Sequence, residues 1–196
     1  LNKVNKKCIE NVFFGDKGLL SLIEKSKPDM VVNALVGFVG LEPTLYCLKH
    51  DIDVALANKE ALVVGGELIK EVLSSSNAKL YPVDSEHVAL SKCLANEKEI
   101  KRLVLTASGG AFRDLPLDQL SAMKASDALK HPSWNMGEKI TIDCATMMNK
   151  GFEIIEAHYL FGLDVDKIEP LLHYESIVHA LVEFNDGAVF AQMAVN

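Results

Sequence analysis

Apolar and polar positions follow two rhythms along the first half of this chain. Residues 31–35, 54–57, 79–83 and 103–107 are short apolar runs suited to buried strands. Between them, residues 41–49, 61–75 and 86–94 carry helical spacing. In 61–75, for example, Leu62, Leu68, Ile69 and Leu73 recur on one side, and Ser74-Ser75-Ser76-Asn77 closes the segment in turn chemistry. Strand and helix in alternation predict βαβ units and a mainly parallel sheet.

The second half changes character. Residues 118–129 read as a helix, and 131–137 as a loop broken by Pro132 and Gly137. Residues 145–161 are the longest helix candidate, with Gly162 placed to end it. Strands are expected over 168–173, 176–184 and 188–195. Asn185-Asp186-Gly187 would join the last two as a hairpin, because this dipeptide chemistry tolerates the positive φ of tight turns. An α/β half is thus followed by an α+β half.

Composition narrows the classes. With 49% apolar and 24% charged residues the 196-residue chain is of globular type. No stretch approaches the ~18 consecutive apolar residues of a membrane span, so no membrane partner is expected. A net charge of −7 argues against nucleic acid as a partner but leaves room for a small phosphate in a local pocket. Cys8, Cys47, Cys93 and Cys144 form no CxxC pair, which fits a reducing cytoplasm. The chain starts Leu1-Asn2-Lys3 and stops in or just after a strand, so a fragment of a longer protein is expected.

Several groups could carry chemistry. Asp84-Ser85-Glu86 lies where a strand hands over to a helix, at the strand end where α/β sheets bind ligands. Paired carboxylates there suit Mg²⁺ or Mn²⁺. Taken alone, the same residues are better accounted for by capping, with Ser85 as N-cap and acids in the first turn. Thr106-Ala107-Ser108-Gly109-Gly110 could let backbone N–H groups approach a phosphate, or could be an ordinary Gly-rich turn.

Asn149 and Glu153 share a helix face and Lys150 is displaced by about a third of a turn. An amide, a cation and a carboxylate beside Met147, Met148 and Phe152 make sense as a pocket wall; a solvated face is the alternative. Lys59, in Asn58-Lys59-Glu60, could neutralise an anionic ligand or simply pair in solvent. His131–Gly137 holds the single Trp, Trp134, with Met136 in a breaker-rich loop, either a lid over ligand or a loop anchored by its indole. Cys144 has no His at a spacing that marks a catalytic thiol, and packing is its default role.

The order of these motifs is more specific than any one of them. ANKEALV at residues 57–63, PVDSEH at 82–87, then 105–112, 131–137 and 141–153 resemble the 1-deoxy-D-xylulose 5-phosphate reductoisomerases. VVNALVGFVGLEPT at 31–44 and SIVHALVEFNDGAVFAQ at 176–192 resemble them too, so the likeness covers essentially the whole chain.

The resemblance implies the end of a Rossmann-like NADPH-binding domain over residues 1–77 and an α+β catalytic domain over 78–196. It also implies a metal- and NADPH-dependent enzyme that converts 1-deoxy-D-xylulose 5-phosphate to 2-C-methyl-D-erythritol 4-phosphate in non-mevalonate isoprenoid synthesis, as a cytoplasmic homodimer. By motif, Asp84, Glu86 and Glu153 would hold Mg²⁺ or Mn²⁺. Lys59 and Ser85 would contact the sugar phosphate. Ser108, His131, Cys144, Asn149 and Lys150 would gather at its phosphate end, Trp134 and Met136 would belong to the closing loop, and Asn58, Glu60 and Gly137 would touch the nicotinamide cofactor.

The chain departs from the family pattern in places. Cys144 stands where members usually carry Ser, Val88 where a small polar residue is common, and Tyr174-Glu175 where Pro-Gln is usual. The family's Gly-rich nucleotide loop and C-terminal helical domain have no counterpart here, and weak NADPH binding by this stretch alone is the expectation. Two other functions fit the residues. One is a metal-dependent sugar-phosphate isomerase or aldolase without hydride transfer; the other is a non-catalytic binding domain that retains the fold.

Overall fold

The computed structural model describes residues 12–94 and 99–194. Cys8, the first residues of the chain and Val195 lie outside the described residues. The chain divides into two compact units, Leu1–Tyr81 and Pro82–Asn196.

The first unit contains α1 (Gly15–Ser26), β1 (Met30–Asn33), α2 (Leu41–Lys49), β2 (Asp53–Leu56) and α3 (Lys59–Ser75), and β3 (Leu80–Pro82) begins at its end. The strands form one sheet in the order β1-β2-β3, with β1 and β2 parallel, as a βαβ crossover requires. Val54 and Leu56 are buried on β2, which packs on α2 (buried Cys47 and Leu48), and α2 packs in turn on α3 (buried Ala61, Leu62 and Ile69). Each of the Val, Leu and Ile side chains among them, taken from water, contributes roughly 1.5–3 kcal/mol before entropy is charged against it. Asn58 caps α3, accepting from the Ala61 N–H, and its amide donates to the carbonyls of Leu35 and Gly37. Gly65 departs from helical φ/ψ inside α3, where a Cβ would run into the Leu41 side chain. Helix α1 was not expected from the sequence.

The second unit contains α4 (Ser85–Cys93), β4 (Ile100–Ala107), the single-turn α5 (Ala125–Ala128), α6 (Glu138–Ala145), α7 (Met148–Phe161), β5 (Ile168–Leu172), β6 (Val178–Phe184) and β7 (Val189–Met193). Its sheet runs β5-β4-β6-β7; β4 is parallel to β5 and antiparallel to β6, and β6 to β7. Leu103 and Leu105 of β4 and Ala180, Val182 and Phe184 of β6 form one core with Ala89, Leu90 and Cys93 of α4 and Ala157 of α7. On the other face, Arg102 bonds both Glu183 and Glu169 across the strands. The hairpin turn at Asn185-Asp186-Gly187 forms as expected, with Gly187 at φ +84°.

Two helices differ from expectation. The helix predicted over 118–129 is a 3₁₀ segment, Leu117–Ala122, followed by α5, because Met123 and Lys124 take extended backbone between them. The helix predicted over 145–161 starts at Met148. Met147 adopts a left-handed conformation (φ +60°), which breaks the run and leaves α6 as a separate helix before it. At the other end Gly162, at φ +66°, returns its N–H to His158 O as a left-handed C-cap.

Candidate active site

The ends of β4, α4 and α7 converge on one cavity of about 770 Å³, its open mouth included, lined in part by Asp84, Glu86, Ser108, His131, Lys150 and Glu153. The β3–α4 junction brings in Asp84 and Glu86. Asp84 is the N-cap of α4, yet its side chain makes no capping hydrogen bond. Ser85 likewise spends its hydroxyl on Glu86 Oε2, at 2.6 Å, rather than on the helix. Capping therefore does not account for these residues. Asp84, Glu86 and Glu153 each offer a carboxylate oxygen within 4.8 Å of the others.

Glu153 is 1% exposed, and bringing a carboxylate so deep requires partners. It accepts from Asn149 Nδ2 and from Lys150 Nζ, both on α7 one turn earlier. Lys150 also donates to Glu86 Oε1 at 3.0 Å and to Thr106 O at 2.5 Å. Burial works to raise the Glu86 carboxyl, but the Lys150 ammonium, helped by Ser85, brings it down to about 2. Burial alone would push Lys150 down; Glu153 and Glu86 outweigh it and hold the ammonium above its ordinary value. An ammonium thus sits where a hard cation would be welcome. Three converging carboxylates, already organised around positive charge, fit Mg²⁺ or Mn²⁺.

The opposite wall is built by the turn after β4. Gly109 is at φ +79°, and at Gly110 a Cβ would overlap the backbone of Cys144 and Ala145. This close approach brings the Ser108 loop against the α6–α7 junction. Arg113 donates to Ser108 O at 2.7 Å and lies over the Tyr174 ring. His131 accepts at Nδ1 from the Ser133 and Trp134 N–H groups, which leaves the hydrogen on Nε2. Burial lowers the His131 pKa, the Arg113 charge lowers it further, and a hydrogen bond with Gly109 opposes both, so the ring is a neutral donor.

Ser85, Trp134, Met136, Cys144 and Asn149 also line this cavity, whereas Gly137 does not and instead caps α6. Asn58, Lys59 and Glu60 belong to the first unit, at the start of α3, with Asn58 and Lys59 buried. Thr106, expected as part of the Gly-rich segment after β4, shares the lining; Ser176 and His179 share it too and carry no such signal in the sequence. Ser176 is 8% exposed, sits at φ +53°, and its Oγ has no hydrogen-bond partner among the described residues. A single serine before a strand gives no signal in sequence that its backbone will turn left-handed.

Residues 80–161 match the 1-deoxy-D-xylulose 5-phosphate reductoisomerase C-terminal domain, and residues 1–66 match 1-deoxy-D-xylulose 5-phosphate reductoisomerase. The chain belongs to this family. It is 51% identical over 195 residues to the reductoisomerase of Macrococcus caseolyticus (98% of this chain, 52% of the relative). It is 52% identical over 184 residues to that of Bacillus cereus strain Q1 (93% and 48%). A crystal structure of DOX-P reductoisomerase in complex with NADPH, fosmidomycin and magnesium superposes with a TM-score of 0.85 at 41% identity (91% of this chain, 47% of the other). The chain therefore spans about half the length of the reductoisomerases it matches.

Proposed function

We propose that this chain supplies the catalytic site of an NADPH-dependent reductoisomerase that converts 1-deoxy-D-xylulose 5-phosphate to 2-C-methyl-D-erythritol 4-phosphate. The observation that carries this reading is the meeting of Asp84, Glu86 and Glu153 in a cavity that Ser108 and His131 also line. A solved relative bearing magnesium, NADPH and fosmidomycin supports it.

A divalent cation held by Asp84, Glu86 and Glu153 would stabilise negative charge developing on substrate oxygens as the carbon skeleton rearranges, and NADPH would deliver hydride to the resulting aldehyde. The protein's own groups do the rest. Ser108, Cys144, Asn149 and the neutral His131 donate to the phosphate end, and binding energy gained there orients the reacting end. Asp84, Glu86 and Glu153 would hold the cation, and with their charge neutralised Lys150 would be free to serve the phosphate. Ser85, in the cavity lining, contacts the sugar, and Lys59 of the first unit is assigned to it by its family motif alone. The loop carrying Trp134, which is 40% exposed, and Met136 closes to exclude water. Asn58 and Glu60 of the first unit, and separately Gly137 of the second, are assigned to the nicotinamide by their family motifs alone.

Mg²⁺ and Mn²⁺ both satisfy an all-oxygen donor set. The active form is a homodimer in the cytoplasm. Edge strand β7, with Val189, Phe190 and Met193 exposed, supports the first point. The free thiols Cys47, Cys93 and Cys144 support the second. Among the described residues no helix is long and apolar enough to cross a membrane.

The test is an assay of the intact protein for NADPH oxidation with 1-deoxy-D-xylulose 5-phosphate, with and without Mg²⁺. Metal-dependent oxidation is expected. Turnover of the sugar phosphate without NADPH oxidation would mark a simple isomerase or aldolase, and binding without turnover a retained fold.

A further inference from the structure

Beneath the three carboxylates lies a second group that none of the steps above uses. His87, in the first turn of α4, and Glu156, on α7, are both 0% exposed. His87 Nε2 lies 2.9 Å from the Glu153 carbonyl oxygen, so Nε2 carries the hydrogen and donates. The other nitrogen, Nδ1, faces Glu156 Oε2 at 3.3 Å and Asp84 Oδ2 at 3.9 Å. Phe161 stacks against the ring, with centroids 6.2 Å apart and planes 20° from parallel, and fixes its plane.

One imidazole therefore touches both helices that carry the cation-facing carboxylates. It reaches Asp84 at the head of α4 through Nδ1, and the backbone of Glu153 in α7 through Nε2. Glu156 stands three residues beyond Glu153 on α7 and faces the ring at Nδ1. Burying two such polar groups is a poor way to gain stability, since apolar side chains of the same volume do as well or better. Its value lies in fixing directions, as outer hydrogen-bonding partners do for metal ligands.

The geometry points to His87 and Glu156 as a positioning pair. Together they set the separation of Asp84 and Glu153, and so the affinity of the site for its divalent cation. This inference rests on the metal-binding reading proposed above.

The experiment is calorimetric titration of the intact protein with Mn²⁺, without substrate or NADPH, for the parent, Glu156→Gln, His87→Gln and the double variant, with the thermal midpoint of each ion-free form. One Mn²⁺ per chain is expected in the parent. Each single variant should weaken Mn²⁺ by about 10- to 100-fold, with ion-free midpoints within a few degrees of the parent. The double variant should cost no more than the worse single one, because the two residues act through one ring. Glu156→Asp, which keeps the carboxylate but withdraws it by one methylene, should give an intermediate loss, and it replaces Glu156→Gln if that protein does not fold.

Parental Mn²⁺ affinity in a folded Glu156 variant would overturn the inference. So would losses that multiply in the double variant. Two Mn²⁺ per parent chain, one of them lost in Glu156→Gln, would also overturn it, by making Asp84, His87 and Glu156 a second cation site. A parent that binds no Mn²⁺ sinks the functional reading itself, an outcome distinct from all of these.

Discussion

Lys150 Nζ lies 3.0 Å from Glu86 Oε1, joining α7 to the head of α4 across 64 residues of chain. The same ammonium serves Glu153, whose side chain is 2% exposed against 6% for the lysine. In the ion-free protein this cation offsets the crowding of carboxylates. Replacing it with an apolar residue of similar length leaves buried negative charge without its partner, a class of change that costs about 3–5 kcal/mol. Lys150→Met should therefore lower the thermal midpoint sharply without divalent ions, and saturating Mg²⁺ should restore more stability to the variant than to the parent. Thermal scans with Mg²⁺ and with chelator measure this. Equal Mg²⁺ shifts in both proteins would contradict the charge exchange.

The wall that faces those carboxylates depends on a missing side chain. A Cβ at Gly110 would overlap backbone atoms of Cys144 and Ala145, and backbone cannot swing aside as a side chain can. Gly110→Ala is expected to destabilise the second unit by about 1–3 kcal/mol or more through overpacking. It should also push the Ser108 turn away from the α6–α7 junction. Urea denaturation reads the first effect and a crystal structure of the variant the second.

Much of this arrangement was legible in the sequence, and its gaps have physical causes. The alternation of apolar runs with helical spacing gave the βαβ order of the first unit, because β2, α2 and α3 bury strongly periodic faces. Asp84, Glu86 and Glu153 could be grouped only through resemblance, since nothing in local spacing brings α4 beside α7. The break at Met147 was invisible, because a methionine in left-handed backbone violates its own propensity. Helix α1 escaped notice because few of its residues are buried, only Gly18 and Ile23. His87 and Glu156 read as ordinary polar residues of helix faces until the fold turned both inward.

Acid sensitivity should appear in the first unit at Asp51. Its carboxylate accepts from the Asn77 N–H at 2.8 Å and the Ser76 hydroxyl at 3.0 Å, tying the end of α2 to the turn after α3. The Asn77 N–H, foremost, and the Ser76 hydroxyl hold the Asp51 pKa below the usual carboxylate value. With the folded pKa depressed, the ionised bond contributes stability above the unfolded value of about 3.9 and loses it as pH falls through the folded value. Asp51→Asn keeps an acceptor oxygen and tolerates the φ of +56° at this position. The parent's stability advantage over Asp51→Asn should be present at pH 7 and vanish progressively below pH ~4. A gap that stays constant down to pH ~3 would show that the charge is immaterial.

Cys144 stands where the family resemblance leads one to expect Ser, and that exchange should be felt in substrate binding. It is half-buried in the cavity wall, on α6 just before the break at Met147, and its backbone meets Gly110 of the Ser108 turn. A thiol is a weak donor, whereas a serine hydroxyl of nearly the same shape donates well to a phosphate oxygen. One added hydrogen bond of ordinary net strength, about 0.5–1.5 kcal/mol, corresponds to a binding gain of about 2- to 10-fold. Cys144→Ser should lower KM for 1-deoxy-D-xylulose 5-phosphate by about that factor, with kcat little changed, because phosphate contacts are made equally in ground and transition states. The Mn²⁺ affinity should not move, since residue 144 is not among the carboxylates that meet at the cation position. Steady-state kinetics of parent and variant at one Mg²⁺ concentration decide the matter. An unchanged or higher KM would mean that no donor is wanted at residue 144 and that the thiol is there for packing.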